Sequence, residues 1–138
     1  LEGLTVSRLM RPVGMAIPPE TSVSSLVNDW LMQYEERSYP VVDGNGRLLG
    51  MVTLADVRKA PRDAWDSTPV SRVMTPLDSL VTTSPREDLG QAFDKLVNSD
   101  SSEFPVVDGD RLVGMLHRFD LARWIELHAQ APVKAHAP

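Results

Sequence analysis

Three short motifs occur twice in this chain, in the same order and at nearly the same offset. Val6-Ser7-Arg8-Leu9-Met10-Arg11-Pro12 returns as Val70-Ser71-Arg72-Val73-Met74-Thr75-Pro76. Pro40-Val41-Val42-Asp43-Gly44 returns unchanged from Pro105 to Gly109. Gly50-Met51-Val52-Thr53-Leu54-Ala55-Asp56 returns as Gly114-Met115-Leu116-His117-Arg118-Phe119-Asp120. A period of this length is the signature of a duplicated structural unit. It splits the 138 residues into halves of roughly 60, each marginal as an independent core.

Both halves carry the same local pattern. Val23, Leu26, Val27, Trp30, Leu31 and Tyr34 form one apolar stripe at helical spacing, and Leu89, Ala92, Phe93, Leu96 and Val97 repeat it. Thr21 or Ser22 is placed to cap the first helix, and Ser84-Pro85-Arg86-Glu87 offers the second a capping box. Met10, Met32, Met51, Met74 and Met115 fall at repeat-equivalent or stripe positions and read as core. Two β-prone runs (39–42 and 48–52; 104–107 and 112–116) flank Gly/Asn/Asp turns, which reads as a hairpin. A second helix starts near Thr53 and near His117, and the runs 13–17 and 80–83 supply a further strand. The predicted order is β-α-β-β-α in each half, an α+β fold of two pseudo-symmetric repeats with a cleft between them. The expected boundaries are 5–60 for the first repeat, 61–69 for a Pro-broken linker, 70–127 for the second repeat and 128–138 for a flexible tail.

Composition narrows the partners. A net charge of −5 argues against a nucleic-acid polymer or an anionic membrane surface. There is no cysteine, so disulfides and thiolate metal sites are excluded. His117, His128 and His136 are too scattered for a metal site. No run approaches the roughly 18 apolar residues of a membrane span, so direct insertion of this segment is not expected. The chain starts at Leu1 without a secretory leader, which fits a segment of a longer protein. No nucleophile, base and orienting group can be assembled, so no catalytic residue and no enzyme is expected.

The chemistry that remains is Gly-x-x-x-x-x-Asp, present as Gly50/Asp56 and Gly114/Asp120. Each carboxylate follows a strand and falls in the first turn of a helix. Free backbone N–H groups at a helix start favour phosphate, and a carboxylate there can accept both hydroxyls of a ribose diol. Thr53-x-x-Asp56 is equally a capping-box variant, in which hydroxyl and carboxylate satisfy backbone donors. At the second copy His117 is a weaker cap than threonine, yet the aspartate is kept.

Both halves resemble CBS domains, and together a tandem CBS pair (a Bateman module). The Met-x-Pro segments, the two Pro-Val-Val-Asp-Gly runs and the Gly-Met-Val-Thr-x-x-Asp and Gly-Met-Leu-His-x-x-Asp runs carry the likeness, over residues 5 to 127. It implies two related clefts that take AMP, ADP, ATP or S-adenosylmethionine, homodimerisation, and regulation of an effector domain in the parent chain. Carried over by position, Asp56 and Asp120 hold ribose hydroxyls and Thr53 faces phosphate. The strands before the hairpin turns (Tyr39, Pro40 and Val41; Phe104, Pro105 and Val106) lie against adenine. Ile17 and Thr82 or Thr83 complete the pockets. His117 departs from the family's Ser or Thr; its imidazole either pairs with phosphate or fills the pocket. Arg58 and Arg118 are nearby phosphate candidates. The linker run Ala60-Pro61-Arg62-Asp63-Ala64-Trp65 is similar to that of CBS pairs attached to site-2-protease-type intramembrane zinc metalloproteases, or else Trp65 only packs a groove. The protease resemblance would put this piece on the cytoplasmic side, as the soluble appendage of a membrane protein. The alternative to sensing is a ligand-free module for dimerisation or partner contact.

Overall fold

In the computed structural model, which describes residues 3–135, the duplicated motifs turn out to be exchanged in space. The chain divides into two compact units that do not follow sequence order. One is Val13–Leu80 with Gly109–Leu112; the other is the chain up to Pro12, Val81–Asp108 and the residues from Val113 on. Each unit thus contains one hairpin together with the Met-x-Pro segment of the other repeat.

In the first unit, helix α1 opens at Val23–Ser25 and continues as a π-helical stretch, Leu26–Leu31. Strands β1 (Ser38–Val42) and β2 (Leu48–Thr53) follow, then a single helical turn, α2 (Leu54–Val57). A 3₁₀ turn at Arg62–Ser67, helix α3 (Val70–Val73) and strand β3 (Thr75–Pro76) complete it. The sheet order is β1-β2-β3, all antiparallel, and Ile17 adds one parallel bridge to Val41 on the outer edge of β1. The run 13–17 therefore contributes a bridge, not a full strand. Tyr39, Pro40 and Val41 are buried without alternation, so both faces of β1 are covered. Ile17, Val23, Leu26, Tyr39, Val52 and Val70 lead the core.

The second unit repeats this plan. Helix α4 (Leu89–Leu96) precedes β4 (Glu103–Asp108) and β5 (Arg111–His117), and α5 (Arg118–Ala135) closes the chain. Thr83 bridges Val106 in parallel and Arg11 bridges Met115 antiparallel, the counterparts of Ile17–Val41 and Thr75–Met51. Val6, from the start of the chain, is fully buried here with Leu89, Leu96, Phe104 and Leu116.

The repeated glycines permit the close approach of these segments. A Cβ on Gly50 would lie 2.4 Å from the Thr75 carbonyl oxygen and 2.9 Å from Met74 Sδ. On Gly114 it would lie 2.8 Å from Met10 Sδ and 3.0 Å from the Arg11 carbonyl oxygen. Each Met-x-Pro backbone can pair with its strand only because that strand presents no side chain at this point.

Further sequence expectations are corrected. Met32 is not core but 73% exposed, and Tyr34 of the same stripe is 49% exposed. The Met32 N–H reaches back five residues to the Val27 carbonyl, and one extra residue in a turn rotates all later side chains by about 100°. In the first unit Ser22 is the cap, accepting the Ser25 N–H, as the sequence allowed. In the second unit the box at Ser84–Glu87 does not form. Backbone bonds tie Ser7 to Pro85, Val6 to Glu87 and Leu89 to Leu4, which holds that stretch out of the helix. Asp88 caps instead, accepting from the Gly90 and Gln91 N–H groups. Val97 sits at the C-cap of α4 and is 45% exposed, so it leaves the stripe. Helix α5 is assigned through Ala135, within the stretch 128–138 expected as a flexible tail. His136 lies outside the described residues.

Candidate functional site

The two aspartates of the Gly-x-x-x-x-x-Asp motif sit at matched positions and have different surroundings. Asp56 is 5% exposed. Its Oδ2 accepts the Thr53 N–H at 2.9 Å, while Thr53 Oγ1 accepts the Asp56 N–H at 3.3 Å, a closed capping box. Its Oδ1 pairs with Lys59 Nζ at 2.8 Å, and Lys59 also donates to the Val73 carbonyl. Both carboxylate oxygens of Asp56 therefore hold their own element together. The helix behind them is one turn of four residues, so few aligned peptide dipoles stand behind an anion there.

Asp120 has no such box among the described hydrogen bonds. Histidine at position 117 offers no hydroxyl acceptor, and both Asp120 oxygens turn to Arg11: Nε donates to Oδ2 at 2.7 Å and Nη2 to Oδ1 at 2.9 Å. The pair is open to solvent, with side-chain exposures of 51% for Arg11 and 21% for Asp120. The hydrogen bonds from Arg11 hold the Asp120 carboxyl below the usual carboxylate range against the opposing effect of burial, and His117 and Arg123 add positive charge nearby. The Arg11 guanidinium is raised in turn, by its bonds to Asp120 first. Asp120 stands in the first turn of an 18-residue helix, where anions are favoured.

The remaining predicted site residues divide between the units. Ile17, Tyr39, Pro40, Val41, Thr53 and Asp56 belong to the first unit. Thr82, Thr83, Phe104, Pro105, Val106, His117 and Asp120 belong to the second. The Tyr39 and Phe104 rings are 1% exposed and packed in the cores; Tyr39 meets Trp30 edge-on, and its hydroxyl donates to the Glu36 carbonyl. What these strands can offer a planar base is backbone. Thr83 is 3% exposed and donates to Glu87 Oε1 at 2.5 Å, where Lys95 also binds. Burial pushes Glu87 up, but the bonds from Thr83 and Lys95 carry its carboxyl below the ordinary range. His117 and Thr82 are half-buried.

Arg118 is not free for phosphate. Nε donates to the Ser101 carbonyl, and Nη2 to the Leu96 and Ser99 carbonyls, which closes the C-terminal end of α4. The guanidinium also lies 5.3 Å from the Phe104 ring centroid. Arg58 is exposed. Trp65 donates to the Ala60 carbonyl and carries Arg62 over its ring. Sequence reasoning missed Arg11, Lys59 and Glu87. A signal for Arg11 was present: it is the variable position of Met-x-Pro, arginine in one copy and threonine in the other. Among the described residues no cluster of His, Cys, Asp and Glu could hold a metal, and no helix is long and apolar enough to cross a membrane.

Residues 6–63 and 70–127 each match the family model of the CBS domain. Rip3 of Mycobacterium tuberculosis, named as a zinc metalloprotease, is 25% identical over 130 residues, covering 94% of this chain and 33% of Rip3. The chain thus spans about a third of the length of that relative. The crystal structure of CBSX2 of Arabidopsis thaliana in complex with AMP superimposes with a TM-score of 0.75 at 26% identity, covering 91% of this chain and 98% of that one. The CBS domain pair of protein MJ0100, solved with 5-methylthioadenosine and S-adenosyl-L-methionine, shares the fold at a TM-score of 0.69 and 23% identity, covering 89% and 96%.

Proposed function

Because this chain belongs to the CBS-domain family and carries two CBS domains in tandem, we propose that it is a regulatory module that senses an adenosine-type ligand through Asp120. The observation that carries this reading is the difference between the two aspartates. Asp56 is locked into a capping box and an ion pair. Among the described residues Asp120, at the start of a long helix, is held by an exposed side chain that a ligand can displace. Its two oxygens can accept both hydroxyls of a ribose, and the N–H groups of the first turn of α5 favour an adjoining phosphate. The backbone of β4 at Phe104, Pro105 and Val106 borders the base. AMP, ADP, ATP and S-adenosylmethionine are the candidate ligands, and CBSX2 in complex with AMP supports the class.

The module does no chemistry itself. Its ligand would bias an effector by preferring one conformation of the module over another. Rip3, with two-thirds of its length outside the matched region, suggests a metalloprotease as that effector and the cytoplasmic face of a membrane as its place.

A thermal-melt panel with the four ligands tests the reading. A binder at a hundredfold excess over Kd adds about 2.7 kcal/mol, which raises Tm by about 9 °C for a chain of this length. No shift with any of the four at millimolar concentration would contradict it. A second reading has an observation of its own. Asp56 is committed to capping, and the aromatic rings of both proposed base-binding strands are core. This suits a ligand-free homodimerisation module, whose mark is a flat melt panel together with a dimer by sedimentation.

A further inference from the structure

The sensing reading above gives Asp120 a task but leaves Arg11 unassigned, and Arg11 is a position at which the two repeats differ in charge. Thr75 occupies the matched position, paired to Met51 as Arg11 is paired to Met115. The backbone geometry is therefore the same in both units, while only the second unit projects a guanidinium over the motif aspartate. Arg11 engages Asp120 through both of its edge donors, the fork geometry that also fits two oxygens of a phosphate. The other cation at this helix start, Arg118, is tied to three backbone carbonyls. Arg123 lies over the exposed Phe119 ring at 5.7 Å from its centroid.

Resting on the sensing reading, we propose that Arg11 sets ligand charge specificity: it covers Asp120 in this structure and passes its guanidinium to the phosphate of an arriving nucleotide. A phosphorylated adenosine offers both partners of the pair a replacement, diol for Asp120 and phosphate for Arg11. Adenosine offers only the diol, so Arg11 loses its carboxylate and gains nothing. S-adenosylmethionine brings positive charge towards a guanidinium and is disfavoured further. Because the pair is exposed to solvent, opening it is cheap. The module is thereby selective for 5′-phosphorylated adenosines at a single site.

Calorimetry with AMP and adenosine on the full 138-residue chain, wild type and Arg11→Thr, tests this. Threonine is the residue that the first unit already accommodates at the same backbone position, and circular dichroism checks that the variant is folded. Wild type is expected to bind AMP about tenfold or more tighter than adenosine, as loss of a charge-assisted contact implies. Arg11→Thr brings the ratio to about twofold, by weakening AMP and strengthening adenosine together. Arg11→Lys, which keeps charge but not the fork, falls between. An unchanged ratio in Arg11→Thr overturns the inference and leaves sensing intact, as does an equal gain for both ligands, which would make Arg11 a mere obstruction. If wild type binds neither nucleoside nor nucleotide, both the inference and the sensing reading fall.

Discussion

Gly50 and Gly114 do more for this fold than the aspartates that follow them. The space above each is filled by a methionine thioether and a backbone carbonyl, and the approach is closer at Gly50. Gly50→Ala is expected to lower stability by about 3 kcal/mol, and Gly114→Ala, where a flexible thioether can yield, by about 1; urea denaturation measures both. Thr53→Ala removes a cap and costs about 1 kcal/mol, whereas His117→Ala, at a position without a box, should lie within about 0.5. The Gly…Asp motif was plain in the sequence. What was not legible is that its glycine serves close packing and that its two aspartates have diverged, because the deciding partners lie far away in sequence (Arg11 to Asp120) or on the far side of a one-turn helix (Lys59 to Asp56). The Arg11 pair also fixes a pH dependence. With the Asp120 carboxyl depressed in the folded chain, its stabilising effect is present above the ordinary carboxylate range and fades as pH falls through the lowered value. Arg11→Thr should return Asp120 upward towards that range, as a carboxyl-carbon NMR titration would register.

At the scale of elements, hydrophobic spacing located both long helices and both hairpins, since period and turn chemistry are local properties. Where the helices begin and how they are wound depends on tertiary partners. The first stripe assumed 3.6 residues per turn throughout, and the π-helical stretch Leu26–Leu31 puts Met32 and Tyr34 towards solvent. At the second helix the Ser84–Glu87 pattern was a sound local cap, defeated by backbone pairing with residues 4–7. Asp88→Ala is accordingly expected to cost about 1 kcal/mol, and Ser84→Ala within about 0.5. Equal losses in the two variants, measured by thermal unfolding, would contradict the observed cap.

For the molecule as a whole, the duplication announced two repeats, but not that each compact unit contains the Met-x-Pro segment of the other repeat. That exchange gives residues 4–12 a structural task in the second unit. Removing them strips Val6 from the second core and the Arg11–Met115 bridge from β5. A chain starting at Val13 is expected to lose roughly 3 kcal/mol or more, with hydrogen exchange rising first in α4, β4 and β5 while β1 and β2 keep their protection. Uniform protection in the shortened chain would contradict this.

Calorimetric titration of AMP into Asp120→Asn and Asp56→Asn bears most directly on the claim that one motif aspartate reads ligand and its twin is architectural. The account predicts at least a tenfold loss of affinity in the first with stability nearly unchanged, and in the second a weaker fold with wild-type affinity. Equal affinities in wild type and Asp120→Asn, or a loss confined to Asp56→Asn, would contradict it.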